Sequence, residues 1–208
     1  MKRLATTLLL LCALIALPSE VSAQLDLSKA LNSFFSSSEQ KRTPYDEIAE
    51  SAPEQRALYG KWTARDLRIE YLGNNSLTKY AVSEIESYLK SQYDVRSLLE
   101  VGGYLNISRN GTGVITYDEH KREGRYTYDA SKGALIITTV VDGREISCNG
   151  YVRLSDAGVL TLLLDVNSAL QSFKSNFPEY ANDSTFRMAE STFSSLSDVY
   201  VSILLRKS

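Results

Sequence analysis

The sequence predicts a mainly β protein, an eight-stranded antiparallel up-and-down barrel with a helix inserted after the first strand and helices before the last. Three observations predict it. From Gly60 onward, eight segments are rich in β-branched and aromatic residues or alternate apolar with polar ones. The links Asn110-Gly111, Ser131-Lys132-Gly133, Asp142-Gly143 and Asp156-Ala157-Gly158 are hairpin turns, too short for the crossover that a parallel pair requires. Eight strands is also about the number that closes on itself as a small barrel.

The segments before the barrel divide in two. Residues 1–23 read as a signal peptide: Lys2 and Arg3 precede an apolar run from Leu4 to Leu17, Pro18 breaks it, and Val21-Ser22-Ala23 fits a cleavage site before Gln24. The run falls short of the ~20 residues of a spanning helix, and Leu9-Leu10-Leu11 lacks the small residue of a lipobox before Cys12. The expectation is an exported chain, periplasmic or extracellular, with Cys148 as its remaining cysteine. Residues 24–58 read as a helical arm. Leu27, Leu31 and Phe34 recur at helical spacing, 36–42 is a polar linker, and Thr43-Pro44-Tyr45-Asp46 is an N-cap followed by proline and an acid in the first turn. A short helix to about Ser51 and a second start at Pro53, reaching Leu58, complete the arm.

The barrel domain is expected over 59–208. Trp62 to Tyr71 is the first strand, and its alternation slips between Ala64 and Leu67, the sign of a bulge. Leu77, Tyr80, Ala81, Ile85, Tyr88, Leu89 and Gln92 then fall at steps of three and four, predicting a helix capped by Asn74 or Asn75. Val101 to Ile107, Val114 to Asp118 and Arg125 to Asp129 follow as strands, the last with Tyr126 and Tyr128 on one face. Ala134 to Val141 is nearly all apolar, predicting burial along its length. Arg144 to Leu154 alternates most regularly, with Ile146, Cys148, Gly150, Val152 and Leu154 on one face. Val159 to Asp165 is the seventh strand. Leu170, Phe173 and Phe177 make one helical stripe and Phe186, Ala189, Phe193 and Leu196 another. Val199 to Lys207 is the last strand, expected to pair with the first and close the barrel, because both are too apolar to remain edges.

Chemistry is sparse. The 208 residues carry 23 basic and 25 acidic side chains, a formal net charge of −2, with no basic cluster for a nucleic acid. One histidine and two cysteines are too few for a zinc or histidine-rich metal centre. His120, the sole base for a serine or cysteine triad, lies in the polar run Asp118-Glu119-His120-Lys121-Arg122-Glu123 and reads as a solvated loop residue. Asp118 with Glu119, and Asp142 with Glu145, read as surface carboxylates at turns. Asn110-Gly111-Thr112-Gly113 is a hairpin and not a phosphate cradle. Cys148 on an inward strand is either a packed thiol or a nucleophile, and no base or cation in its strand favours the second. No cofactor, metal or catalytic residue is expected.

Gly60-Lys61-Trp62, the Leu58-Tyr59 lead-in, the meander and the late helix before a closing strand resemble the lipocalins, whose first strand opens on G-x-W. The helix after that strand and the final strand with basic residues are similar to a family of secreted bacterial lipocalin-like domains, over roughly Leu58 to Lys207. The resemblance implies a barrel that takes a small apolar or amphipathic ligand against the inward residues Leu105, Tyr126, Tyr128, Ile137, Ile146, Cys148 and Val152. It also implies that Gly60 and Trp62 are structural and that a basic residue near the end lies across the tryptophan, with Arg206 as first candidate and Lys207 as second. A barrel filled by its own side chains, acting as a cell-envelope interaction module, is the alternative, and an enzyme with a barrel-borne site is the third. An internal space of about 300 Å³ or more discriminates carrier from filled barrel.

Overall fold

A computed structural model describes residues 43–92, 103–117, 120–194 and 196–208. The segments expected as a signal peptide, as the Leu27-Leu31-Phe34 helix and as a linker lie outside the described residues. Helix α1 (Pro44–Glu50) starts on a capping box, in which the Thr43 hydroxyl accepts from the Asp46 N–H and the Asp46 carboxylate accepts from the Thr43 N–H. A short α2 (Gln55–Leu58) leads into β1 (Gly60–Tyr71), followed by α3 (Ser76–Gln92). The meander is β2 (Tyr104–Ile107), β3 (Thr112–Tyr117), β4 (His120–Asp129), β5 (Ala134–Val141), β6 (Arg144–Leu154) and β7 (Val159–Asp165). Helix α4 (Val166–Asn176), a 3₁₀ turn (Pro178–Tyr180) and α5 (Ser184–Phe193) precede β8 (Val199–Lys207).

The eight strands form one closed barrel in sequence order, each antiparallel to the next, with β8 paired back to β1 from Trp62↔Lys207 to Tyr71↔Val199. The register of that closing pair shifts between Ala64 and Asp66, the bulge that the slipped alternation signals. Past the bulge, Leu67, Ile69 and Tyr71 take over the inward face from Trp62 and Ala64. At the β5–β6 hairpin, Asp142 (φ 48°) and Gly143 (φ 78°) both adopt the left-handed conformation of a two-residue type I′ turn.

Apolar burial is arranged in three groups. At one end of the barrel Leu58, Trp62, Ile107, Leu135, Val152, Leu160, Leu162 and Leu205 pack together. At the other, helices plug the barrel: Val82 and Ile85 of α3, Leu170 and Phe173 of α4, and Phe186 and Phe193 of α5 pack on Ile69, Ile146, Val199 and Val201. On the outer wall, Ile48 of α1 covers Leu163 and Tyr200. There Tyr45 donates to Asp198 Oδ1 at 2.5 Å, and its hydroxyl lies 3.1 Å from that of Tyr200. The arm from Pro44 to Leu58 thus serves as part of the barrel's packing, which explains why both faces of β7 are buried.

Helix α4 stands in for a strand. β7 pairs with β6 only between Gly150 and Leu154, leaving the first half of β6 without a strand on that side. The Ser172 Oγ of α4 accepts from the Ser147 N–H at 2.8 Å, and the Ser168 Oγ from the Asn149 N–H at 2.9 Å. Two hydroxyls one helical turn apart therefore take the backbone donors that a β neighbour would have bonded.

Four expectations are corrected. β4 begins at His120, with Tyr117 opposite it, instead of at Arg125. The polar run continues the strand because pairing with β3 across a two-sided ladder overrides the loop-like composition. β5 is not buried throughout: Ile136 and Val140 are 46% and 53% exposed on its outer face, and only the inward set is covered. Among the described side chains of α3, Val82 and Ile85 are buried, whereas Leu77 and Tyr80 face solvent. At the closing end, Lys207 and not Arg206 lies over the tryptophan, as detailed below.

Candidate functional site

The barrel holds a cavity of about 360 Å³. Strand alternation determines its walls. Leu105 and Ile107 of β2, Gly113 and Ile115 of β3, Gly124 and Tyr126 of β4, Leu135, Ile137, Thr139 and Val141 of β5, Val152 of β6, Leu162 and Leu164 of β7 and Ile203 of β8 all border it. The space exists because two inward positions carry no side chain. Gly113 and Gly124 are opposite one another in the β3–β4 ladder, and both line the cavity. A Cβ at Gly113 would meet Leu105 Cδ1 at 3.6 Å and the Asn106 carbonyl oxygen at 4.0 Å, both ordinary contacts, so the space there accommodates a side chain. Gly150 is different, since a Cβ there would lie 2.2 Å from the Leu163 carbonyl oxygen where β7 crosses closely.

The closed end is built around Trp62, which is 2% exposed. Its indole N–H donates to the Leu58 carbonyl at 2.7 Å, and the Lys207 ammonium lies 5.4 Å from the ring centroid. Gly60 turns α2 into β1 at φ 118°, which favours glycine, and a Cβ there would meet the Lys207 stem at 3.4 Å. Arg206 pairs with Thr63, is exposed, and points to the outer wall. Parity gives the reason: Val199, Val201, Ile203 and Leu205 face inward, so the next inward position is 207.

Of the residues predicted to contact a ligand, Leu105, Tyr126, Ile137 and Val152 border the cavity together. The others are elsewhere. The Tyr128 hydroxyl donates to the Pro53 carbonyl at 2.7 Å, tying β4 to the arm, while that of Tyr126 donates to the Ser108 carbonyl at 2.8 Å. Burial, with Asp129 nearby, pushes the Tyr128 phenol up to about 12. Ile146 packs with the plugging helices. Cys148 sits beside the strand-to-helix junction, its sulfur 3.5 Å from the Asp165 carbonyl oxygen, and burial, aided by the Asp165 carboxylate, pushes its thiol up to about 12. A thiol so protonated is a packing group and a poor nucleophile.

Sequence reasoning missed the mouth. Ile115 is 49% exposed although its strand position faces inward and borders the cavity, so the cavity reaches solvent beside it, near the β3–β4 hairpin. Arg122 lies directly across from Ile115, on the same β4 face as Gly124 and Tyr126, and is half-buried at the cavity's edge. The residues on either side of it, Lys121 and Glu123, are exposed, and Glu123 also borders the cavity. Arg125, also exposed, is ion-paired with Glu145 across β5. The Thr139 hydroxyl donates to the Glu123 carbonyl at 3.1 Å. Counting from Tyr126 back along the strand was the available signal for Arg122, hidden by reading 118–123 as a loop. Among the described residues no group of three or more His, Cys, Asp or Glu side chains is placed to hold a metal, and no helix is long and apolar enough to cross a membrane.

In comparisons with known proteins, no family model and no curated protein matches this chain.

Proposed function

We propose that this chain is an exported, lipocalin-like binding protein whose barrel takes up one small apolar or amphipathic molecule. The observation that carries the reading is the cavity: about 360 Å³, inside the range of small-molecule sites and above the size that separates a carrier from a filled barrel. Its walls are aliphatic, the polar ends of Tyr126 and Thr139 are occupied by backbone carbonyls, and inward glycines keep it open. Apolar burial then supplies affinity, roughly 0.8 kcal/mol for each methylene removed from water. The reading treats the protein as non-catalytic, with Trp62, Gly60 and Lys207 maintaining the closed end.

The test is native mass spectrometry of protein purified from its own host, with titration of the neutral fluorophore N-phenyl-1-naphthylamine into delipidated protein. A co-purifying small molecule, or saturable fluorophore binding at one site per chain, supports the reading. Absence of both overturns it and favours the side-chain-filled interaction module, for which the helix-plugged half of the barrel is the supporting feature.

A further inference from the structure

We propose that Arg122 reads the head group of the ligand, and that the ligand class is a single-chain amphiphile with an anionic head; the proposal rests on the carrier reading above. The β4 alternation places Arg122 on the inward face, with its Cα across from the half-exposed Ile115 at the cavity's mouth. Its guanidinium has no hydrogen bond or ion pair with any described residue, whereas the nearby Arg125 is neutralised by Glu145. Of the other polar residues that border the cavity, Tyr126 and Thr139 bond to carbonyls, Arg125 pairs with Glu145, and Glu123 is exposed to solvent. The cavity therefore offers an incoming molecule a largely apolar interior and, at its rim, a cation without a partner among the described residues.

That arrangement discriminates by charge. A neutral molecule seated across the mouth strips water from the guanidinium and gives it no partner, which costs free energy. A carboxylate, phosphate or sulfate at the same place replaces the lost water with charge-assisted hydrogen bonds, and the planar fork of arginine can bond such a group through two N–H donors. An ammonium is repelled. Length is bounded as well. The space of about 360 Å³ is at the small end of the range for small-molecule sites, which suits a single medium-length chain.

Displacement of N-phenyl-1-naphthylamine by dodecanoate, 1-dodecanol and dodecylammonium, each below its micellar concentration, tests the proposal. Wild-type protein is expected to bind dodecanoate about tenfold more tightly than 1-dodecanol, with dodecylammonium weakest. The dodecanoate preference should fall as salt is raised, because its Coulomb part is screened. Arg122→Gln should bring dodecanoate and 1-dodecanol within about twofold of one another; Arg122→Met, which keeps the stem along the strand, is a second variant if the first does not fold. Lys132→Gln, in the exposed turn after β4, should retain the full preference. Equal affinity for acid and alcohol in the wild type, or a tenfold preference surviving in Arg122→Gln or Arg122→Met, overturns the proposal while leaving the carrier reading in place. Failure of the wild type to bind the fluorophore and all three competitors overturns the carrier reading itself.

Discussion

Replacing Gly113 by leucine separates a cavity that serves binding from one that is a packing defect. The first atom of the new side chain is accommodated, because a Cβ at this position meets Leu105 Cδ1 at 3.6 Å and the Asn106 carbonyl oxygen at 4.0 Å, both ordinary van der Waals distances. The three carbons beyond it have nowhere to go but the cavity, which Gly113 lines. They displace about three methylenes of any bound chain, which at about 0.8 kcal/mol each comes to roughly 2.4 kcal/mol, or about a fiftyfold loss of affinity. Stability moves the other way. A glycine inside a strand costs about 0.5–1 kcal/mol relative to alanine, and burying a leucine side chain in unfilled space contributes about 1.5–3 kcal/mol more. The gain is largest if the ligand is absent, so the expected rise is about 2–4 kcal/mol in delipidated protein. Urea unfolding of delipidated protein and fluorophore titration measure the two quantities independently. If Gly113→Leu lost stability by more than about 1 kcal/mol while fluorophore affinity stayed unchanged, the space around Gly113 would not be the ligand's, and the assignment of the barrel cavity as the binding site would be refuted.

Lys207→Ala should shift the emission of Trp62 and lower stability by about 0.5–1 kcal/mol, the worth of an exposed cation over an aromatic ring, while Arg206→Ala leaves the emission unchanged; the reverse pattern would restore Arg206 as the tryptophan's partner. Ser168→Ala with Ser172→Ala should cost about 1–3 kcal/mol in urea unfolding, since each removes the acceptor of a half-covered β6 N–H; wild-type stability would mean that water replaces both hydroxyls without loss. Alkaline pH should destabilise the fold in a defined window. Burial pushes the phenols of Tyr128 and Tyr200 from 10.0 up to about 12, and raises Tyr45 as well through burial and its bond to Asp198. The folded state then holds protons that the unfolded chain has released, so stability is full below pH 10 and declines as pH rises towards about 12. Melting temperature against pH, read beside tyrosinate absorbance, checks the sign; a melting temperature that climbs across that window contradicts it.

Much of this molecule was legible because its strands obey the two-residue period. β5, β6, β7 and β8 carry the boundaries that alternation and turn dipeptides mark, the Ala64-to-Leu67 slip is a bulge, and the apolar first and last strands pair. What was missed has physical causes. The start of β4 is polar on both faces, so local composition argues loop, and only the ladder to β3 makes it a strand. Ile146 and Cys148 have inward parity yet lie away from the cavity, because α4 displaces β7 beside the first half of β6, a long-range event that no local pattern encodes. The choice of Lys207 over Arg206 was in the sequence, since Leu205 and 207 share a face. Gly113 and Gly124 were equally readable: inward positions without side chains announce a space, and Arg122 follows by counting two residues back from Gly124.

The closing pair has a consequence for how the barrel comes together. Thr63 and Ser208, whose hydroxyls lie 2.5 Å apart at the closed end, are separated by 145 positions, whereas β3 to β6 are joined by turns of a few residues. The local hairpins incur little loop entropy and form early; the β1–β8 ladder incurs the most and forms late. Until it does, the chain is an open curved sheet with an apolar strand at each margin, a species prone to joining other copies of itself. Weakening β8, by Val201→Ala or Ile203→Ala, should therefore accelerate unfolding and barely slow folding. Resistance to loss of the folded state is set by this last seam to close, which is also the first to part.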